Sequence, residues 1–425
     1  NTLEISVEYV SAVPNCSICD TIPIDSAELA EKEGRELIAQ INQTSDIPFR
    51  NNNCIDLANK VENIVLSKNF GIITTLLDNY EGTFTIAVAM LPLEDGRDEP
   101  GTGRTDSIEK SRAVALLEAF ERYGGFLPRG KKVNIYADYN KLKNSGFNMF
   151  DLKKAILNQN SITNESLYKN IKFYFDKSQN YHWVYGYSLT KQRSLLVPEA
   201  LAYYGVVLKG DDYRKEILTY EISNGCSVGS SLLVATYHSL LEILERDAFL
   251  TSWYTDRKIR RIILDDVFLS EDSKLKSEFE IFKKYYHEFR IDIYDISCEF
   301  HIPVVLMTVT RKEIDKKQMN FMCAAAADEN IYDAVEKALH EISSIFMGLQ
   351  KKFKDEYQNI QKKAEDLISV ETMDDHSMVW GYYKNLKDIK FADQVSDVIS
   401  ISEWDKQHET ICSLNSSFKK LIYEL

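Results

Sequence analysis

Three long stretches of the chain alternate apolar and polar residues with a helical period. They read SIEKSRAVALLEAFERYGG (107–125), SLLVATYHSLLEILERDAFLTSWY (231–254) and NIYDAVEKALHEISSIFMGLQKKF (330–353). We expect the first helix to end at Gly124 and Gly125, because glycine commonly follows the last helical turn. A shorter helical pattern covers 26–41, after an irregular lead-in over 1–20.

Runs of β-branched and aromatic residues predict strands between these helices. The predicted strands lie within 70–92 (a pair joined at 79–82), 132–137, 171–175, 183–198 (a hairpin, then a short helix), 290–296 and 302–310. Polar stretches predict loops at EDGRDEPGTGRT (94–105), ISNGCSVGS (222–230) and ETMDDHS (371–377). Strand pairs with interspersed helices indicate a mixed α/β (α+β) fold, with sheets packed against helices.

Composition excludes several classes of protein. The 425 residues carry 51 Lys and Arg against 65 Asp and Glu, a net charge of −14, so no positive excess is available to neutralise nucleic acid phosphates. No apolar run is long enough to span a membrane, and the N-terminus lacks a signal sequence. Seven scattered cysteines are typical of a reducing compartment, which predicts a cytoplasmic location. The first residue is Asn1, so we expect the natural chain to begin earlier.

One short motif occurs twice. Glu118, Glu121 and Arg122 lie in the first long helix with the spacing that Glu242, Glu245 and Arg246 have in the second. Each copy places two carboxylates on one face of a helix that is otherwise largely apolar. Buried carboxylates are costly unless they are paired or bind a cation.

Two interpretations of the motif follow from its spacing. In the simpler one, each copy forms an i,i+4 ion pair between Glu and Arg, worth about 0.3–0.5 kcal/mol. In the other, the two helices face each other and hold Mg²⁺ with a nucleotide phosphate, and Glu341 in the third helix is a fifth carboxylate. The repetition favours the second. No Walker A loop is present, so any ATP site must be of another kind.

The motifs together resemble the YcaO domain family, and within it the azoline-forming cyclodehydratases. The resemblance rests on the two E-x-x-E-R helices with LLEAFERYGGFLPRG, WVYGYSLTKQRSLLVPEALAYYG, SNGCSVGSSLL, ERDAFLTSWY and TMDDHS, in this order over roughly 70–385. It implies a domain division into a lead-in, 1–69, and a YcaO catalytic domain, 70–425.

The resemblance also implies a reaction. In that family, a Cys, Ser or Thr side chain of a ribosomal precursor peptide attacks the preceding amide, and ATP activates the amide oxygen for elimination to an azoline. Carried over to this chain, Glu118, Glu121, Glu242 and Glu245 would be Mg²⁺ ligands or their supports. The two arginines, Arg122 and Arg246, would orient these acids or touch phosphate. Asn224, with the backbone of Gly225 and Gly229, would lie beside the nucleotide.

The sequence departs from the family pattern at three helix positions. Val114 stands where the first motif usually has Ser, and Val234 and His238 stand where the second usually has Glu and Gln. The chain also ends at Leu425 without the Pro-rich tail common in the family, so we expect C-terminal residues to be missing. These departures leave open a degenerate scaffold that does not catalyse, and a thioamide- or amidine-forming enzyme remains a further alternative.

Partners and a further metal site are implied more weakly. We expect a separate E1-like protein that binds the leader of the precursor peptide, in a hetero-complex or with a homodimer. Cys16 and Cys19 form half of a zinc site, which Cys54 or a partner would have to complete; packed free thiols are the other interpretation. His376, beside Asp375, is a candidate base or a capped loop histidine.

Overall fold

The structure, a computed structural model, describes residues 20–43, 54–67, 71–81, 84–93, 95–152, 173–265, 273–300, 302–370 and 372–415. The helices of this part are α1 (Ala27–Gln43), α2 (Cys54–Val65), α3 (Ile108–Phe126), α4 (Tyr139–Asn144), α5 (Glu199–Ala202), α6 (Asp211–Arg214), α7 (Leu232–Tyr254), α8 (Ser273–Tyr285), α9 (Ile331–Asp355), α10 (Tyr357–Glu365), α11 (Met373–Gly381) and α12 (Ile401–Asn415).

The strands form three sheets. They are β1 (Thr75–Glu81), β2 (Phe84–Pro92), β3 (Asp98–Thr105), β4 (Ile135–Asp138), β5 (Asn180–Ser188), β6 (Arg193–Pro198), β7 (Ile259–Ile263), β8 (Phe289–Asp295), β9 (Val304–Arg311), β10 (Phe321–Ala327) and β11 (Val395–Ser400). The sheet orders are β1-β2-β3, β4-β5-β6 and β10-β9-β8-β7-β11. Neighbours pair antiparallel except β11 and β7, which are parallel.

The five-stranded sheet is covered on both faces by helices. Along β9, Val305 and Met307 belong to the apolar cluster that includes α9, whereas Val304 and Leu306 belong to the one that includes α7. Successive side chains of a strand point to opposite faces, so a strand covered on both sides is a continuous apolar run. This arrangement sandwiches the sheet between α7 and α9.

The first sheet packs directly on α3. Gly101 and Gly103 alternate on the face of β3 that meets this helix, and a Cβ on Gly103 would lie 1.8 Å from the carbonyl oxygen of Ser111. The hydroxyl of Ser111 in turn hydrogen-bonds to the backbone N–H of Thr105, at 3.0 Å. Only glycine permits this close approach of strand to helix.

The sheet of β4, β5 and β6 has its own aromatic core and contacts α1. Tyr181 and Trp183 are fully buried, and the indole N–H of Trp183 donates to the carbonyl of Ala137 at 2.8 Å. The predicted hairpin corresponds to β5 and β6, and the predicted short helix to α5.

The predicted mixed helix and strand class is confirmed, and the sheets do pack against helices. Four local predictions were wrong. The stretch 94–105 contains β3 instead of being a loop, α3 continues through Gly124 and Gly125, residues 173–175 are not a strand, and ETMDDHS begins α11. The start of α11 is fixed by a capping box between Thr372 and Asp375, a pattern that the sequence displays.

Candidate functional site: two acidic helices that face a shared recess

The first motif copy lies in a helix whose start and packing are well defined. The side chain of Ser107 caps α3 by accepting from the backbone N–H of Lys110. Ala115, Leu116 and Ala119 are buried, so the carboxylates of Glu118 and Glu121 emerge from an apolar surround. Both carboxylates accept hydrogen bonds from backbone segments outside their helix.

Glu118 and Arg122 form a tight pair at the edge of β3. One oxygen of Glu118 accepts from the N–H of Thr102 at 2.7 Å, and the other lies 2.7 Å from a guanidinium nitrogen of Arg122. The same guanidinium lies 3.3 Å from the carboxylate of Glu99. Arg122 is therefore held by two acids, which fixes the orientation of Glu118.

The Gly-punctuated loop connects the two motif copies. The N–H of Val228 donates to Glu121 at 3.1 Å, and the N–H of Gly225 donates to Glu242 at 3.0 Å. Gly225 has a φ of +80°, a conformation that favours glycine. Asn224 is exposed in the turn just before it. The loop 222–230 thus holds one acid from each helix.

The second copy is fixed at the end of the Ala-rich strand. Glu245 accepts from the N–H of Ala327, the last residue of β10, at 3.1 Å. Arg246 lies 3.8 Å from Glu242 and 3.9 Å from Glu245, and its side chain is 44% exposed. This arginine is more loosely held than Arg122.

Glu341 on α9 lies between the two copies. The residue is exposed, but desolvation by the neighbouring protein raises the pKa of its carboxyl. Arg246 and Arg104 oppose the rise, whereas Glu118 adds to it. Glu341 also interacts electrostatically with Glu245. Glu341 thus interacts with charged groups of both copies, and we call the region that the five carboxylates border the shared recess.

Two of the acids are strongly perturbed. Burial, followed by the charges of Glu118 and Glu242, raises the pKa of Glu121 from 4.5 to about 7. Burial and then the charge of Glu341 raise the pKa of Glu245 to about 7. A cluster of half-buried carboxylates with raised pKa values carries more negative charge than its arginines neutralise, as expected of a site for a hard divalent cation.

Several groups in this recess were not predicted from the sequence. Glu99 and Arg104 lie in β3, in the segment that was taken for a loop. Tyr204 and Cys226 interact electrostatically with Glu121, and the hydroxyl of Tyr204 is buried without a hydrogen-bond partner in the described residues. The Gly-x-Gly alternation in GTGRT is a signal of close strand packing that could have indicated β3.

One departure from the family pattern lies in the helix of the first copy, and two lie in that of the second. Val234 is buried near the start of α7, and Val114 is half-buried in α3. His238 lies at an exposed position of α7, and desolvation by the neighbouring protein, followed by the charge of Lys337, lowers its pKa. Lys337 is paired with Asp328 at 2.6 Å, so the charges that act on His238 belong to this ion pair.

The other candidate residues lie elsewhere. Cys16 and Cys19 are outside the described residues, and Cys54 is a half-buried free thiol packed beside Ala113 and Leu117. Zinc binding there stays a prediction. Asp375 caps α11 and pairs with Lys363 at 2.7 Å, while His376 is exposed. Across the described residues, no helix has the length and apolarity needed to cross a membrane.

Comparison with known families identifies the class of protein. The family model described as YcaO cyclodehydratase, ATP- and Mg²⁺-binding, matches residues 102–420. Because this match covers most of the chain, the chain belongs to the YcaO family. No curated protein matches the sequence significantly.

Solved structures share the fold at low sequence identity. A heterocyclase in complex with substrate and cofactor has a TM-score of 0.56 and 20% identity; the match covers 72% of this chain and 41% of the heterocyclase. YcaO from Methanopyrus kandleri, bound with AMPPCP and Mg²⁺, has a TM-score of 0.50 and 13% identity, covering 89% and 82%. The E. coli microcin synthetase McbBCD complex with pro-MccB17 bound has a TM-score of 0.51 and 15% identity, covering 77% and 75%. This chain thus spans about two fifths of the heterocyclase's length.

Proposed function

We propose that this chain is an ATP- and Mg²⁺-dependent cyclodehydratase that converts Cys, Ser or Thr residues of a ribosomal precursor peptide to thiazolines or oxazolines. The observation that carries the proposal is the shared recess. Two E-x-x-E-R helices and Glu341 bring five carboxylates together, and the two central acids, Glu121 and Glu245, have pKa values near 7. An arrangement that served only as surface ion pairs would not desolvate its acids in this way.

The donor set fits Mg²⁺. Glu118, Glu121, Glu242 and Glu245 offer only oxygen ligands, and Mg²⁺ prefers oxygen and usually binds together with phosphate. When bound, the ion would neutralise the charge of the transferring phosphate. Glu118 and Glu242 are oriented by backbone N–H groups, and Arg122 also holds Glu118.

Uncommitted donors in the recess suit a phosphate-bearing ligand. The hydroxyl of Tyr204 is buried without a hydrogen-bond partner in the described residues, and Arg246 is half-exposed beside the acids. Buried donors of this kind are costly unless a ligand satisfies them. Asn224 and the backbone of Gly225 and Gly229 would contact the nucleotide from the connecting loop.

The peptide and the partners belong to the same proposal. Activation of a backbone amide requires that the precursor peptide reach the recess, and we propose that a leader-binding, E1-like partner protein delivers it in a cytoplasmic complex. The microcin synthetase neighbour, a complex that contains pro-MccB17, supports a multi-protein arrangement. A homodimer of this chain is compatible with it. We propose the division 1–69 and 70–425 as lead-in and catalytic domain.

A non-catalytic scaffold is the second candidate. The observation that favours it is His238, on which the charges of the Lys337–Asp328 ion pair act where the family pattern has Gln, together with the buried Val234 in place of Glu. A chain that had lost nucleotide binding would keep the fold and could still organise a complex.

Calorimetry with ATP and Mg²⁺ distinguishes the candidates. We expect the wild type, with its partner present, to bind Mg·ATP and the double variant Glu121→Gln, Glu245→Gln to lose binding. Glu109→Gln, at an exposed position in the first turn of α3, is the matched control and should bind normally. A folded wild type that does not bind would overturn the enzyme proposal.

Product mass then separates the reaction types. Each azoline removes one water from the precursor peptide, whereas a thioamide exchanges oxygen for sulfur. A mass loss that corresponds to water and requires ATP would establish cyclodehydration. Unchanged peptide in the presence of nucleotide binding would contradict it.

A further inference from the structure

A second cluster of metal-ligand residues lies outside the shared recess. Glu278 on α8 meets Glu336 and His340, which are one turn apart on α9, and one ligand atom of each lies within 4.8 Å of the others. The Nε2 of His340 is 3.0 Å from Glu278 and 3.8 Å from Glu336. The cluster joins the helix that precedes β8 to the helix that carries Glu341.

Burial makes this cluster unusual. The side chains of Glu278 and His340 are each only 10% exposed. The Oε2 atom of Glu278 is hydrogen-bonded to the Nε2 atom of His340. The other oxygen, Oε1, is buried without a hydrogen-bond partner in the described residues. A buried carboxylate oxygen in this state carries a desolvation cost that no hydrogen bond within the described residues offsets.

A lysine supplies part of the missing positive charge. The ammonium of Lys274 is 2.6 Å from Glu336 and 3.3 Å from Asp106, but it remains 3.8 Å from the Oε1 of Glu278. Burial lowers the pKa of Lys274, yet the carboxylates outweigh that effect and leave it raised. Its side chain is 49% exposed, so its ammonium can move toward solvent when a metal takes its place.

We propose that Glu278, Glu336 and His340 form a binding site for a divalent transition metal of the Zn²⁺ class, in which Lys274 is the resident cation when the metal is absent. One imidazole with two carboxylates is a donor set that favours such ions over Mg²⁺ and Ca²⁺, which prefer oxygen alone.

The spacing of the donors suits the proposed ion. Ligands about 2.1 Å from a tetrahedral ion lie about 3.4 Å from one another. The separations of 3.0 and 3.8 Å bracket this value, so small rotamer changes would complete the site. A bound metal would tie α8 to α9 and would steady the helix segment that holds Glu341. The inference does not depend on the proposed function.

Metal content measures the site directly. The full chain is stripped with a chelator, dialysed against Zn²⁺ in excess Mg²⁺, and its zinc is counted by mass spectrometry. We expect Glu278→Gln and His340→Gln each to carry one zinc fewer per chain than the wild type. Glu280→Gln, on an exposed face of α8, is the matched control and should keep the wild-type content. Because only the difference counts, zinc bound by cysteines does not affect the comparison.

The lysine gives a second, opposite signature. Lys274→Met removes the competing cation and should tighten zinc binding by about tenfold, because it leaves the buried carboxylates unpaired. Lys283→Met, in an exposed pair on the same helix, should leave the affinity unchanged. The lysine variant keeps the test valid if His340→Gln does not fold. Equal zinc content in the wild type and Glu278→Gln, or an unchanged affinity in Lys274→Met, would overturn the proposal. Retention of zinc by the Glu121→Gln, Glu245→Gln variant would separate this site from the nucleotide site.

Discussion

The two copies of the E-x-x-E-R motif have the same sequence spacing but different surroundings. Arg122 is 23% exposed and lies within 3.3 Å of two carboxylates, those of Glu118 and Glu99. Arg246 is 44% exposed and approaches its two acids only to 3.8 and 3.9 Å. The first arginine is committed to the protein, while the second remains able to pair with a ligand.

The difference arises from what packs against each helix. α3 lies directly on β3, which contributes Glu99 and the N–H of Thr102 to the first copy. α7 meets the end of β10, which supplies the N–H of Ala327 to Glu245 but no additional acid for Arg246. The arginine thus has a structural role in the first copy and is free to face a ligand in the second.

The packing of α3 on β3 should give the largest effect. Gly103→Ala would place a methyl group against the helix backbone, and we expect a loss of about 3 kcal/mol or more in the free energy of unfolding. Gly124→Ala is the control, since in the described residues no atom beyond its chain neighbours and its own helix backbone lies within 4 Å of the Cβ position. It should stabilise α3 by up to about 1 kcal/mol. Urea denaturation measures both. Equal stabilities would show that β3 does not hold the first copy.

The two arginines should separate stability from binding. Arg122→Met leaves Glu118 and Glu99 without their cation, so we expect a loss of about 2 kcal/mol in stability. Arg246→Met should change stability by less than about 0.5 kcal/mol, because its pairs are long and half-exposed. It should instead weaken Mg·ATP binding by about tenfold, the loss of one charge-assisted contact. Thermal unfolding and calorimetry on both variants test the contrast. Equal losses of stability and of Mg·ATP affinity in the two variants would contradict it.

Mg·ATP affinity should rise with pH. Mg²⁺ binds deprotonated carboxylates, and burial with neighbouring acids raises the pKa of Glu121 and Glu245 to about 7. Below that value each proton released on binding changes the affinity by up to about tenfold per pH unit. Calorimetry between about pH 6 and about pH 8 would show the slope, which should be shallower in Glu121→Gln if that variant still binds. An affinity that does not change with pH would contradict the raised pKa values of Glu121 and Glu245.

The smallest effect concerns the free protein. An unfolded Glu121 loses its proton near 4.5, but the folded one keeps it until about 7, so stability without Mg²⁺ falls as pH rises between these values. Glu121→Gln avoids this loss and should be more stable than the wild type by about 1 kcal/mol above neutral pH, with no gain below the unfolded pKa. Denaturation at the two pH extremes measures it, with Glu109→Gln as the unaffected control. A gain of equal size at low pH would point to a different cause.

The sequence predicted the long helices but missed the strand beside the first. DEPGTGRT is poor in β-branched and aromatic residues, so local preference indicated a loop. Pairing with β2 and packing on α3 override that preference. Both contacts are made with residues outside the strand, so they are not visible in its own sequence. Glu99 and Arg104 were missed with it, because neither belongs to a motif and both depend on the position of β3.

The sequence alone shows which acids share a helix face, since a period of 3.6 residues is a local property. It also carried the repetition that pointed to a common site and the motifs that placed the chain in its family. The sequence suggested Glu341 as a fifth carboxylate, but only the packing brings it within electrostatic reach of both copies. Packing also commits Arg122 but not Arg246 to the protein, and it raises the pKa values of Glu121 and Glu245 to about 7. These properties depend on distances and desolvation, which are set by packing between elements far apart in the chain.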